Sequence, residues 1–374
     1  MTCLALFRLP HHTRFCTVTQ HSGEATELAS PSSLGTQAGF VVAPFAPSAA
    51  QPVVVIRPDE VTWTDMPHTS CCTPWDINAS VVDADKERQC YGIDFRNFHA
   101  QLTQHTFAKI VLARCSQMVA DTDAEAQARK LFYRACDMYP RMFVALVSAP
   151  QCGTWLMATP EILLQGSGNS WHTMALAGTM KLDGRYLDFD TPGGHTSAGD
   201  ICWSEKNRFE QRYVADYIEE CIEQLSPDVT AHGPYTTRAG NLVHLRTDFS
   251  FTLPPQCPVG RVVSALHPTP AVCGMPKDST MQFIMSNEQT PRGYYSGFAG
   301  PVGIDGQTSL FVSLRCMRME GRRMFLYAGG GLLADSREED EWNETEAKME
   351  TMRALFKARQ QDKHTRQHMQ KDNT

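Results

Sequence analysis

Apolar positions along the chain recur in two rhythms. Over 205–225, Val214, Tyr217, Ile218, Cys221, Ile222 and Leu225 return every three or four residues, which places them on one face of a helix. The same spacing over 339–358 turns Trp342, Met349, Met352, Leu355 and Phe356 inward on a last helix, 124–138 reads as another, and a further helix precedes Lys109. Short unbroken apolar runs mark strands at 53–56, 110–113, 142–148 and 154–158, the last two joined by Pro150-Gln151-Cys152-Gly153. Further on, 310–316 and 324–327 read as paired strands, and Ala328-Gly329-Gly330-Gly331 reads as a turn, too rich in glycine for regular structure. Charges crowd out apolar residues over 357–374, which predicts a disordered tail.

Composition narrows the class. A chain of 374 residues, 42% hydrophobic and 20% charged, can bury a large core, and its length alone suggests two or three domains. A net charge of −7 provides no broad basic field, so no nucleic-acid partner is expected. The thirteen cysteines form no CxxC pair, and Cys71-Cys72 are adjacent rather than spaced as metal ligands, which fits reduced thiols in a cytoplasmic protein. The opening MTCLALFRLPHH is broken by Arg8 and Pro10 and lacks the shape of an export signal. No run approaches ~20 apolar residues, so no membrane span is expected.

Several polar residues stand where chemistry could use them, and each has an ordinary alternative. Glu341, Glu344 and Lys348 share one helix face, where Glu344 and Lys348 have the order favourable to a surface ion pair. The glycine run just upstream would instead let backbone N–H groups approach an anion. Glu205 and Glu210 lie in the first turns of a helix, where the macrodipole favours carboxylates; facing Glu344 across a cleft, Glu210 would make a hard oxygen site for Mg²⁺. Lys109, ahead of an apolar strand, is either an edge residue reaching for solvent or a desolvated amine able to take a proton. Glu161 follows a strand and Pro160, which suits a carboxyl aimed into a pocket. Arg315, interrupting an apolar run, could fork onto a substrate carboxylate, and His267, held between prolines, could contact an anion or cap a turn.

The order and wording of these segments resemble the chorismate-utilising enzymes. KIVLAR at 109–114, ATPEIL at 158–163, MALAGT at 174–179, SEKNRFEQ at 204–211, LHPTPAVCG at 266–274, RGYYSGFAGPVG at 292–303, SLRC at 313–316, AGGGLL at 328–333 and EWNETEAK at 341–348 follow in that family's sequence. The resemblance spans roughly residues 90 to 358. LFRLPHH and GFVVAPF at 39–45 are reminiscent of the isochorismate synthases of menaquinone pathways.

The resemblance implies an α+β fold, a large antiparallel β-sandwich flanked by helices, with residues 1–356 forming one catalytic domain. It further implies chorismate as substrate, Mg²⁺ held by Glu210, Glu344 and Glu341, Lys109 as general base and Glu161 as general acid. Gly178, Thr179, His267, Arg315, Gly329, Gly330, Gly331 and Lys348 become the substrate-binding positions. Ammonia-using relatives usually carry glutamine where this chain has Lys109, and aminodeoxychorismate synthases often a lysine where it has Ala177. Both positions favour water as nucleophile and isochorismate as product. Salicylate synthase, which goes on to eliminate pyruvate, is the nearest alternative; an anthranilate-synthase-type component or a non-catalytic chorismate-binding protein would be others. A monomer without an obligate glutaminase subunit or membrane partner is expected. Asn207 and Met180 depart from the family pattern.

Overall fold

The computed structural model describes residues 3–358 apart from 36, 68–76, 183–188, 191–196, 241, 255 and 256. The tail beyond 358 and the Cys71-Cys72 pair therefore lie outside the described residues. Within them, strands form one sheet of eleven and one of nine, antiparallel except where Lys357–Ala358 lies parallel to Asn78–Val81. Six α-helices accompany them among the described residues: α1 (Ala84–Thr103), α2 (Ala128–Met138), α3 (Glu205–Glu223), α4 (Val259–Leu266), α5 (Lys277–Asn287) and α6 (Glu338–Arg353). This is the α+β, two-sheet architecture that the motifs implied.

Alternation along the strands decides what each face buries. Phe7, Phe143 and Ala145 of the larger sheet meet Phe40, Val42 and Phe311 of the smaller, and the Phe143 and Phe311 rings stack with centroids 4.2 Å apart. On the outside of the larger sheet, Leu131, Phe132 and Ala135 of α2 cover Met118, Met324 and Leu326. α3 and α4 cover the smaller sheet with Val214, Ile218, Ile222, Val262, Val263 and Leu266. Each such side chain, fully buried, stabilises the fold by about 1.5–3 kcal/mol before the cost of ordering it. The first 65 residues supply strands to both sheets.

Three expectations are corrected. The final helix stops at Arg353, so Leu355 and Phe356 are buried as predicted but from the chain that follows it. The run 310–316 is not one strand: Thr308–Val312 belongs to the smaller sheet and Cys316–Glu320 to the larger, with the chain crossing between sheets at Ser313-Leu314-Arg315. Apolar residues flank this crossing on both sides, Phe311 and Cys316 among them, because both sheets share one interior.

Ala328-Gly329-Gly330-Gly331 is no turn either. It completes the strand Arg323–Leu332, paired with Lys109–Ala120 so that Gly331 stands opposite Val111 and Gly329 opposite Ala113. Glycine serves here for space: a Cβ on Gly331 would lie 2.3 Å from Oε1 of Glu210 and 2.8 Å from Cε of Lys109. The intrinsic weakness of glycine in strands is overridden by neighbours that need the room.

Candidate active site

The chain also crosses from Gly153–Thr159 in the larger sheet to Ile162–Ser167 in the smaller, and Glu161 sits on that crossing. The two crossings are tied together, because the Val312 N–H donates to the Glu161 carbonyl at 3.0 Å and the Ala158 N–H to the Arg315 carbonyl at 2.8 Å. Glu161 and Arg315 thus enter one cavity from adjacent backbones. That cavity, of about 40 Å³, is lined also by Val111, Gly178, Thr179, Glu210, His244, Tyr295, Gly329, Gly331 and Lys348. It is far below the ~300 Å³ from which ligand pockets usually begin, so its walls must part to admit a ring compound.

Lys109 opens its strand and alternates with Val111 toward this site, while Ile110 and Leu112 turn away to a cluster built with α1 and α5. Its side chain is 0% exposed, which excludes the solvent-reaching alternative. Nζ lies 3.1 Å from Oε1 of Glu210, which α3 brings in from the other side. Burial would push the Glu210 carboxyl up, but Lys109, Lys348 and Lys206 around it outweigh burial and hold it below its usual range. Glu161 has the opposite balance: burial pushes it up to about 8, against the pull of Arg315, Lys109 and Lys348. Its Oε1 has no hydrogen-bond partner. Two buried carboxyls at one site, one driven toward the ion and one toward the neutral acid, make a pair with separable tasks.

α6 presents the remaining charges. Lys348 Nζ donates to Oε1 of Glu344 at 2.6 Å and to the Gly329 carbonyl at 2.8 Å, so the pair foreseen on the helix face does form, partly buried and anchored to the strand beneath. Glu341 takes Lys206 and the Ser336 hydroxyl on Oε1, the latter at 2.7 Å. Burial, and after it the charge of Glu344, raises Glu341 to about 7, with Lys206 opposing. Its Oε2 has no hydrogen-bond partner. A Cβ on Gly330 would lie 3.1 Å from that atom and 3.7 Å from Oε1 of Glu344. Glu341 and Glu344 therefore converge on one glycine and Glu210 on the next.

These oxygens suit a hard divalent cation. Among the described residues no three side chains form a ready cage, and Mg²⁺ needs none, since it commonly takes one or two carboxylates and fills its shell with water and substrate oxygens. A buried carboxylate oxygen left without a partner beside a second carboxylate is the observation that fits such an ion.

The site's wording along the chain then finds its counterpart among known proteins: residues 71–357 match the family of chorismate binding enzymes. The protein belongs to that family. As a chorismate-binding enzyme it is similar to isochorismate synthase DhbC of Bacillus subtilis, 29% identical over 68% of this chain and 64% of that one. It is likewise similar to isochorismate synthase EntC of Escherichia coli, 28% identical over 66% of this chain and 62% of that one. The matched region is thus less than two thirds of those relatives' length. The fold resembles MenF, the menaquinone-specific isochorismate synthase of Escherichia coli, with a TM-score of 0.77 at 19% identity, covering 95% of this chain and 89% of that one.

Not every predicted position of this chorismate-binding enzyme reaches the cavity. His267 does not line it: the ring is buried against Phe298, Nε2 donates to the Phe45 carbonyl at 3.3 Å, and burial drops its pKa to about 4. Gly330 turns to α6 by strand alternation, while Gly329 and Gly331 line the cavity. Asn207 packs its backbone and Cβ where a Cβ on Gly178 would stand, at 3.0 and 3.1 Å, and Gly178 holds the left-handed φ of +70° at a bulge. Met180 joins an apolar patch with Leu182, Phe189 and Trp203.

Two residues escaped the sequence reading. His244 is buried at the cavity wall; Arg315 Nη2, always a donor, stands 3.2 Å from Nε2, so Nδ1 carries the hydrogen and donates to the Gly178 carbonyl at 3.1 Å. Burial, then Arg315 and Lys348, keeps this imidazole neutral, well below its usual range. Lys206, partner of Glu341, is the other. Its signal was a cation in the first turn of a helix, where the macrodipole disfavours one.

Proposed function

We propose that this enzyme is an isochorismate synthase, converting chorismate to isochorismate by adding water at C2 with loss of the C4 hydroxyl. The observation that carries the reading is the fully buried Lys109, a potential proton acceptor 3.1 Å from the cavity-lining Glu210, together with Glu161, a carboxyl of the same cavity held neutral to about pH 8.

Lys109 takes a proton from the attacking water as its oxygen bonds to C2. The ring double bonds shift, the C4–O bond breaks, and Glu161 gives its proton to the departing oxygen, which leaves as water. Acid and base of this kind each contribute about 10²–10⁴-fold. Arg315, steered by its contact with His244, offers its guanidinium to a substrate carboxylate. Gly329 and Gly331 leave at the cavity wall the room that Tyr295, Glu210 and Lys109 fill. Glu210, Glu344 and Glu341 would hold Mg²⁺, which when bound supplies positive charge to a substrate carboxylate and fixes the ring.

Purified protein incubated with chorismate and Mg²⁺, with products separated by chromatography, tests the reading. Isochorismate alone is the expected product. Salicylate with pyruvate would replace it by the salicylate-synthase reading, anthranilate formed from ammonia would overturn water as nucleophile, and unchanged chorismate would overturn the activity.

A further inference from the structure

Glu341 is 1% exposed and its two oxygens are unequally served: Oε1 takes both Lys206 and Ser336, while Oε2, turned toward Gly330 and Glu344, takes nothing. Lys206 differs from the other two lysines of the site. Lys109 is sealed beneath Glu210, and Lys348 is pinned to the Gly329 carbonyl as well as to Glu344. Among the described residues Lys206 donates to Glu341 alone; it keeps 23% of its side chain exposed and borders an outer cleft of about 530 Å³. Phe209, Tyr213, Leu333, Ala334 and Asp335 line that cleft with it. Its place in the first turn of α3 gains nothing from the helix dipole, so the carboxylates must hold it there. They do: its Nζ donates to Oε1 of the buried Glu341.

We propose that Lys206 is a displaceable counter-cation, which competes with a divalent cation for Glu341 and swings into the outer cleft when the cation enters. The inference rests on the reading of these carboxylates as cation ligands. A lysine is suited to the exchange, since its ammonium is a compact, strongly hydrated charge on a flexible stem and loses little when it moves into water. The exchange would make cation affinity deliberately modest, because each ion bound must break a charge-assisted hydrogen bond already formed.

Calorimetric titration of the full chain with Mn²⁺, without substrate, decides it. Lys206→Met should bind Mn²⁺ about tenfold more tightly than wild type, the equivalent of one such hydrogen bond, while Lys206→Arg stays near wild type and Glu344→Gln binds weakly. Equal or weaker binding by Lys206→Met, with Glu344→Gln still impaired, would overturn the competition alone. Wild type that takes up no Mn²⁺ would overturn the ligand reading together with it. Acetic anhydride labelling of wild type, read by mass spectrometry, needs no variant: acetylation of Lys206 should rise severalfold on adding Mn²⁺. Labelling that falls or stays constant would overturn the proposal.

Discussion

The ladder between Arg323–Leu332 and Lys109–Ala120 has two halves that share one hydrogen-bond pattern and do opposite things. In the half away from the site, Met324 and Leu326 stand opposite Met118 and Ser116, and the methionines and leucine pack under α2. In the other half, Gly329, Gly330 and Gly331 stand opposite Ala113, Leu112 and Val111, and charges from α3 and α6 occupy the space that side chains leave. The first half generates stability by filling volume. The second generates function by withholding it, and the regular ladder keeps that gap in register with the core.

The strongest way to sharpen the contrast is to change the functional half without changing volume. Lys109→Gln should lower isochorismate formation by about 10²–10⁴-fold with the circular dichroism spectrum kept, read as the initial rate with chorismate. Gly331→Ala adds one methyl where 2.3 Å separates it from Glu210, and should cut kcat by about 100-fold because Glu210 and Lys109 must both shift. In the other half, Met324→Ala should cost about 2–5 kcal/mol in urea unfolding while kcat stays near wild type. Loss of activity without loss of stability there would break the comparison.

Smaller effects follow from Glu161. With its carboxyl at about 8, turnover should fall about tenfold per pH unit above that value. Between 4.5, the ordinary value, and about 8 the folded chain holds a proton that the unfolded chain releases, so this group's contribution to stability declines as pH rises through the window. Glu161→Gln should remove that part of the pH dependence in unfolding titrations. The smallest effect is at the joint of the two halves, where Arg114 stands opposite Ala328, donates to Thr345 at 2.7 Å and lies 3.7 Å over the Trp342 ring. Arg114→Lys should cost about 1 kcal/mol and raise the Mg²⁺ concentration needed for half-maximal rate, since α6 would seat less firmly.

Much of this was legible in the chain, unevenly. Lys109, Glu161, Glu210, Arg315, Lys348 and the glycines at 178, 329 and 331 were readable from motif wording, and folding brings them together. The glycine run was misread as a turn because local propensity knows nothing of the Glu210 and Lys109 atoms that exclude a Cβ. The run through Arg315 was misread as one strand because a crossing between sheets with a common interior leaves no polar interruption longer than a residue or two. His244 alternates within Leu242–Thr252 like any strand residue, and its neighbours Arg315 and Gly178 are 71 and 66 positions away. Predicted helix ends differed from the observed ones by up to a turn or so, as fraying and capping dictate.

The paired crossings have one more consequence, for how the enzyme breathes. Each crossing donates a backbone hydrogen bond to the other, so Glu161 and Arg315 travel as one rigid knot however the sheets flex. A substrate too large for a 40 Å³ hollow would then gain its room from the other walls, among them Glu210 of α3 and Lys348 of α6. Amide exchange should then be slowest at Ala158 and Val312 and faster in the first turns of those two helices: Glu161 and Arg315 stay aligned while the other walls do the yielding.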